Sequence, residues 1–162
     1  MAAILRSLLT AVGLYMFTVA AAEAGAWDAP TEALSAPVEI TVYRSPSCGC
    51  CGKWIEHVKR HGFVVKDIKD EDMDAVKRRL GLPEQLQSCH TAVVGTYLVE
   101  GHVPAGDIKR LLKSKPKLDG LAVPAMPMGT PGMEMGARKD PFSVLGFTKD
   151  GRTTVFSDYR SY

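Results

Sequence analysis

The sequence predicts an α/β domain in which strands and helices follow the order βαβαββα between Val38 and Lys115. Residues 38–43 alternate between apolar and polar side chains, which is the pattern of a half-buried strand, and a Ser-Pro-Ser turn ends the run. Apolar side chains at helical spacing follow at Cys51, Trp54, Ile55 and Val58. Two later β-rich runs are separated only by Gly95-Thr96, a gap that suits a hairpin.

After the first strand, the next three elements are a helix, a strand and a helix. The first helix is predicted over about 50–61 and ends at Gly62, since glycine is common just past a helix C-terminus. The second strand covers 63–68. The second helix begins near Asp72, whose carboxylate suits an N-cap, and it ends at Gly81.

A hairpin and a third helix complete the predicted domain. The hairpin strands are 91–94 and 97–99, and the helix covers about 104–115, with a proline in its first turn. Parallel strands joined by helices, then closed by an antiparallel hairpin and a last helix, are the topology of a thioredoxin-like domain. We therefore assign residues 38–115 to a thioredoxin-like domain.

The remaining residues, 116–162, are predicted to form a C-terminal extension. Residues 116–139 are rich in Gly, Pro and Met without a helical or strand period, so we expect a structured loop or lid there, the Met-rich loop. Residues 142–148 and 153–156 flank an Asp-Gly turn and predict a terminal β-hairpin.

The N-terminus has the anatomy of a secretory signal peptide. Arg6 precedes an apolar stretch over 8–22. Cleavage could follow Ala22, Ala24 or Ala26, and we favour Ala24 because Ala22-Glu23-Ala24 forms an A-x-A pattern. The stretch is shorter than the roughly 20 residues that a membrane-spanning helix needs. We predict a signal peptide at 1–24 and a flexible leader at 25–37.

Composition excludes several classes of function. The 162 residues are 46% hydrophobic and 23% charged, with a formal net charge of +2, which is ordinary for one soluble domain. No block of like charges occurs, so neither nucleic acid nor an anionic membrane surface is an expected partner.

Three of the four cysteines form a cluster at the start of the first helix. Cys48, Cys50 and Cys51 lie within four positions, where the free N–H groups of a helix N-terminus stabilise thiolate over thiol. The thiolate is both a nucleophile and a soft metal ligand. Cys48 and Cys51 alone satisfy the Cys-x-x-Cys pattern of thiol–disulfide exchange, with Cys48 attacking and Cys51 resolving. A purely structural disulfide is the less favoured alternative, because three thiols this close cannot all pair with one another.

The predicted topology brings a fourth cysteine to this cluster. In thioredoxin-like domains the loop before the third strand faces the cysteine-bearing helix end and normally carries a cis-proline, but here that loop holds Cys89 and His90. Adjacent Cys50 and Cys51 do not easily reach one tetrahedral zinc ion together. Several bridged Cu(I) ions suit four thiolates better, because soft ligands select Cu(I).

Methionines supply a second kind of soft ligand. Four of them fall within ten residues of the Met-rich loop: Met126, Met128, Met133 and Met135. A flexible apolar lid over the core explains these residues equally well, and both interpretations stay open.

The four histidines receive separate predictions. His57 and His61 have the i, i+4 spacing of a chelating pair, but a solvated helix face is the favoured interpretation. His90 adjoins Cys89, and the hairpin returns His102 toward the cysteine end. Metal ligation and support of the metal ligands are both open for His90 and His102.

Four separated motifs resemble the CopG-like family, which comprises exported metal-binding proteins of Gram-negative bacteria associated with copper resistance. They are Cys-Gly-Cys-Cys-Gly-Lys-Trp at 48–54, Ser-Cys-His-Thr at 88–91, Glu-Gly-His-Val-Pro-Ala at 100–105 and Pro-Gly-Met-Glu at 131–134. The resemblance covers nearly the whole mature chain, roughly Val38 to Tyr159. It implies a thioredoxin-like domain with a C-terminal extension that holds copper at the Cys-x-Cys-Cys motif, as a cysteine-bridged cluster with redox activity. By position it implies copper binding by Cys48, Cys50, Cys51, Cys89, His90, His102, Met126 and Met133.

The leading prediction is therefore a periplasmic copper-binding protein of copper resistance that sequesters Cu(I) or cycles it with Cu(II), with copper as its cofactor. The alternatives are a thiol–disulfide oxidoreductase that uses Cys48 and Cys51, and a copper chaperone. Expected partners are copper ions and either periplasmic copper-handling proteins or a membrane copper transporter. The mature chain is expected to be a monomer that binds neither nucleic acid nor membrane.

Overall fold

The computed structural model describes residues 25–162, so the predicted signal peptide at 1–24 lies outside the described residues. Residues 25–162 form three α-helices and one seven-stranded sheet, which confirms the mixed α/β class. In chain order the elements are β1 (Val38–Arg44), α1 (Gly49–Arg60), β2 (Phe63–Lys69), α2 (Met73–Leu80), β3 (His90–Val94), β4 (Tyr97–Glu100), α3 (Ala105–Ser114), β5 (Gly120–Ala122), β6 (Phe142–Phe147) and β7 (Thr153–Tyr159).

The strands lie in the spatial order β2-β1-β3-β4-β5-β6-β7. β1 runs parallel to β2 and antiparallel to β3, and β3 and β4 form the expected hairpin. In the register of β1 and β3, Arg44 pairs with His90. The end of β1 leads into α1, so this register brings the residues before β3 alongside the helix N-terminus.

The structure differs from the prediction in the Met-rich loop, which contains the short strand β5. Residues 120–122 pair parallel with β4, and all three are buried. Three residues are too few to reveal a strand period in the sequence. The close approach of β5 to β4 depends on Gly120, because a Cβ there would collide with the carbonyl oxygen of Leu98. β5 therefore joins the Met-rich loop to the same sheet as the rest of the chain.

Local signals account for the limits of the helices. The carboxylate of Asp72 accepts a hydrogen bond from the N–H of Ala75 at 2.9 Å, which makes it the N-cap of α2 as predicted. α2 ends at Gly81, which adopts a left-handed φ of 72°. The buried face of α1 carries Trp54 and Val58, which pack on the sheet through Ile40 and Val42.

His57 and His61 contradict the prediction of a solvated helix face, because they are only 2% and 9% exposed. The N–H of Ala105, at the start of α3, donates to His57 Nε2 at 3.0 Å. The leader covers His61, whose ring nitrogens lie 3.0 Å from Thr31 Oγ1 and 2.8 Å from the carbonyl oxygen of Trp27. The i, i+4 spacing alone does not show that other segments cover this face.

Residues 25–37, predicted as a flexible leader, contain no helix or strand in the structure. Trp27 packs against the aromatic rings of Phe142, Tyr159 and Tyr162, and its indole N–H donates to the carbonyl oxygen of Gly129 at 2.7 Å. The leader thus contacts both the Met-rich loop and the C-terminal hairpin. Among residues 25–162, no helix combines the length and apolar character needed to cross a membrane.

Candidate metal centre

The N-terminus of α1 brings three cysteines together. Cys48 is the N-cap residue, and its sulfur accepts the backbone N–H of Cys51 at 3.4 Å. Cys48 and Cys51 are joined by a disulfide, with Cα atoms 5.4 Å apart. The sulfur of Cys50 lies 3.6 Å from that of Cys48 and is a free thiol.

Cys89 faces this cluster from the loop before β3. The sulfur atoms of Cys48, Cys50, Cys51 and Cys89 all lie within 4.8 Å of one another. Cys51 is fully buried and the other three are half-buried. The structure therefore places the four cysteines in one cluster, although 38 positions separate Cys51 from Cys89.

Two buried histidines extend the cluster on the side of Cys89. The sulfur of Cys89 lies 3.2 Å from His90 Nδ1 and 3.0 Å from His102 Nε2. His102 Nδ1 lies 2.7 Å from the carbonyl oxygen of Pro131, which only accepts, so the ring proton must be on Nδ1. His102 Nε2 consequently presents a lone pair to Cys89.

The same reasoning assigns the protons around Cys89. Its single S–H proton is donated to the lone pair of His102 Nε2, so His90 must donate its Nδ1–H to the sulfur. His90 Nε2 then carries a buried lone pair with no hydrogen-bond partner among residues 25–162. A cation that displaces the S–H proton would find a thiolate and an imidazole lone pair already facing each other.

Burial keeps these groups neutral. Burial and the nearby Cys50 raise the pKa of the Cys89 thiol to about 12. Burial lowers the pKa of His102, and burial together with His102 lowers the pKa of His90 well below its usual range. At neutral pH the site therefore holds a thiol and two uncharged imidazoles.

The Met-rich loop approaches the cysteine-bearing segments at two points. Met126, half-exposed, lines a surface pocket together with Ser88, Cys89 and Ala125. Gly132, with a left-handed φ of 85°, passes so close to α1 that a Cβ would lie 2.7 Å from the N atom of Trp54. The buried Met133 follows it directly.

The other methionines and histidines named from the sequence lie differently. Met128 is half-buried and Met135 is 58% exposed. The ring nitrogens of His61 and the Nε2 of His57 are occupied by hydrogen bonds to the leader and α3.

Sequence reasoning missed residues that support the site. Trp54 packs its ring against His90, with centroids 4.4 Å apart, and Pro131 orients His102. Lys77 and Glu100 form a buried ion pair next to Ser88 and Thr91. Two features of the sequence single out Glu100: it ends an otherwise apolar strand, and it begins the motif at 100–105. Neither feature identifies Lys77 as its partner.

Comparison with known proteins agrees with the motifs. A family model described as "Protein of unknown function, DUF411" matches residues 86–133, a range that contains Cys89, His90, His102, Met126 and Met133. None of the curated proteins compared with the chain matches it.

Two solved structures match almost over their full length. The structure "Copper resistance protein copG- Form 1" is 48% identical, with a TM-score of 0.73, over 78% of this chain and 100% of that one. The structure "Copper resistance protein copG- Form 2" is also 48% identical with a TM-score of 0.73, over 76% of this chain and 99% of that one. The resemblance inferred from four motifs is thereby confirmed, and the chain belongs to the family of copper resistance protein CopG.

Proposed function

We propose that this protein is a periplasmic copper-binding protein of copper resistance that holds Cu(I) at its cysteine cluster. One observation carries the proposal: four cysteine sulfurs lie within 4.8 Å of one another in a member of the CopG family. Soft thiolate ligands select Cu(I) over hard cations. The family membership supports copper as the metal, and the sulfur cluster supports binding by this chain.

The donor set fits copper better than zinc. As neighbours in the sequence, Cys50 and Cys51 are not expected to reach one tetrahedral ion easily, whereas bridging sulfurs serve several Cu(I) ions. We assign ligand roles to all four cysteines, to His90 and His102, and to Met126 and Met133 as thioether donors. His102 is supported most directly among the histidines, because its Nε2 lone pair faces Cys89. Bound copper would supply a Cu(I)/Cu(II) couple, and imidazole nitrogens suit the oxidised ion.

The disulfide gives copper binding a redox requirement. Cys48 and Cys51 cannot act as thiolates while they are bonded to each other. An external dithiol that breaks this bond adds two electrons and two protons, becomes a disulfide itself and leaves four thiols in the cluster. We therefore expect the reduced chain to be the copper-binding form.

The domain organisation follows the same proposal. We assign residues 38–115 to a thioredoxin-like domain, which the β2-β1-β3-β4 strand order supports, and 116–162 to an extension that covers the site. Export by the signal peptide at 1–24 would deliver the chain to the periplasm, where other copper-handling proteins or a membrane copper transporter are the expected partners.

The deciding experiment measures metal content and free thiols together. Mature protein is purified from the periplasm of copper-fed cells and analysed by mass spectrometry, before and after the metal is stripped. We expect several copper ions per chain and no free thiols until stripping. Copper-free protein whose Cys48–Cys51 disulfide exchanges readily with small thiols would contradict the proposal.

A thiol–disulfide oxidoreductase is the second candidate, favoured by the disulfide at the start of α1. In that function Cys48 attacks and Cys51 resolves, and Cys89 has no necessary role. The two candidates therefore differ most clearly in what they require of Cys89.

A further inference from the structure

A buried ion pair lies directly behind the loop that carries Cys89. Lys77 comes from α2 and Glu100 from the end of β4, and their side chains are 4% and 0% exposed. Neither residue is among the metal-ligating groups, and the proposed function assigns no role to either. Isolated buried ion pairs contribute little net stability, because desolvation offsets their attraction, so stability alone does not account for this pair.

The pair makes hydrogen bonds on both sides of Cys89, to Ser88 in the loop before β3 and to Thr91 in β3 itself. Glu100 Oε1 accepts the N–H of Ser88 at 2.5 Å, and Glu100 Oε2 accepts the hydroxyl of Thr91 at 2.5 Å. Lys77 Nζ donates to the carbonyl oxygen of Ser88 at 3.0 Å and to Thr91 Oγ1 at 3.2 Å. The residues before and after Cys89 and His90 are thus fixed by side chains from two other elements.

The ion pair leaves the side chains of Cys89 and His90 free to face the metal centre. The side chains of Cys89 and His90 face the cysteine cluster and His102, whereas the hydrogen bonds of the ion pair go to the flanking residues Ser88 and Thr91. A segment held by hydrogen bonds on both sides of Cys89 has little freedom to move the sulfur between them. All four hydrogen bonds involve a charged side chain, and the two to Thr91 are fully buried, which stiffens the anchor.

We propose that Lys77 and Glu100 are positioning residues that hold the Cys89 thiol against the other three cysteines. The inference rests on the proposed function only in explaining why the thiol is held in place. The position of the thiol itself is a property of the metal-free chain. Removal of the pair should release the loop, expose Cys89 to solvent and weaken copper binding without removing a single ligand.

The test measures the reactivity of the Cys89 thiol in the metal-free protein. In a Cys50→Ser background with the Cys48–Cys51 disulfide formed, Cys89 is the only free thiol, so its alkylation by iodoacetamide reports the loop directly. Two double variants are compared: Lys77→Met with Glu100→Leu, which removes the anchor, and Lys77→Met with Glu100→Gln, which restores an acceptor for the Ser88 N–H. We expect alkylation to be about tenfold faster in the first variant and within about threefold of the parent in the second.

The matched control is Asp107→Leu. Asp107 is also a buried carboxylate with several partners, which lie on α3 and β7: Arg110, Ser157 and Tyr159. This variant should lower the urea midpoint of unfolding without accelerating alkylation of Cys89. Equal alkylation in the parent and the Leu variant would overturn the proposal, as would equal acceleration by the Leu, Gln and Asp107 variants. If the Leu variant does not fold, Lys77→Met alone is measured; unchanged alkylation there would overturn the proposal, and acceleration would support it.

Copper binding separates this inference from the proposed function. In the reduced chain with all four cysteines, the Leu double variant should bind Cu(I) about tenfold more weakly in competition with bicinchoninate. Faster alkylation with unchanged copper affinity would support the positioning of the thiol and count against Cys89 as a copper ligand.

Discussion

The two ends of α1 carry similar potential metal ligands with different outcomes. At the N-terminus, the sulfurs of Cys50 and its neighbours lie within 4.8 Å of the sulfur of Cys89. In the C-terminal half, His57 and His61 have the spacing of a chelating pair, yet hydrogen bonds occupy three of their four ring nitrogens. A ligand type at a suitable spacing is therefore insufficient, because a metal site also needs several ligand atoms that face one another.

Cys89→Ser is expected to have the largest effect on copper binding. The change removes one sulfur from the N-terminal cluster, and loss of a ligand should weaken Cu(I) binding by more than about tenfold, the smallest effect usual for residues that only support ligands. Competition with bicinchoninate on the reduced chain measures the affinity. His61→Gln, at the other end of the helix, is the control and should leave the affinity unchanged. Equal affinity in the Cys89 variant would remove this residue from the site.

Gly132→Ala tests how tightly the Met-rich loop must sit on the N-terminal end of α1. The new methyl group meets the N atom of Trp54 at 2.7 Å and also forces a left-handed φ of 85° on alanine. Gly136→Ala is the matched control, because Gly136 has a left-handed φ of 77° with no atom within 4 Å of the added Cβ. We expect urea unfolding to show a loss of about 3 kcal/mol for the first and about 1 kcal/mol for the second. Equal losses would mean that the loop moves away from α1 at no cost.

The lowered pKa of His57 predicts a smaller effect, a dependence of the free energy of unfolding on pH. Burial, with help from the nearby His61 and Arg60, lowers the pKa of His57 from 6.5 to about 3. Between pH 6.5 and pH 3, His57 therefore binds a proton in the unfolded chain but not in the folded chain. The contribution of the neutral His57 to the free energy of unfolding is complete above pH 6.5 and decreases as the pH falls toward 3. The slope from one such group is at most about 1.4 kcal/mol per pH unit.

The measurement is the free energy of unfolding in urea at several values between pH 7 and pH 4.5. His90 and His102 shift in the same direction, so the contribution of His57 is the difference between the parent and His57→Gln, whose amide oxygen still accepts a hydrogen bond. A shallower slope in the variant is expected. Identical slopes would show that His57 binds its proton over the same pH range in the folded and unfolded states.

Local patterns in the sequence predicted the element order because each strand and helix carries its own periodicity and end signals. Asp72 and Gly81 are examples, since caps act within a few residues. The same local logic predicted three cysteines at a helix N-terminus. The proximity of Cys89 and His102 followed only because the predicted topology brings distant loops to one sheet edge.

What the sequence did not reveal depends on contacts between distant segments. Coverage of His57 and His61 by α3 and the leader is not encoded in the helix that carries them. β5 is recognised by its pairing with β4 rather than by a pattern of its own. Lys77 and Glu100 are 23 positions apart on different elements, so their pairing is visible only in three dimensions.

The short strand β5 has a consequence for dissecting the protein. It covers the backbone of β4 from Leu98 to Glu100, in the interior of the seven-stranded sheet. A chain cut after Lys115 would turn β4 into an open edge with unpaired N–H and C=O groups next to side chains that are almost fully buried in the intact protein. An open strand edge of this kind readily pairs with strands of other chains. We therefore expect a fragment of residues 25–115 to aggregate more readily than a chain that also contains β5.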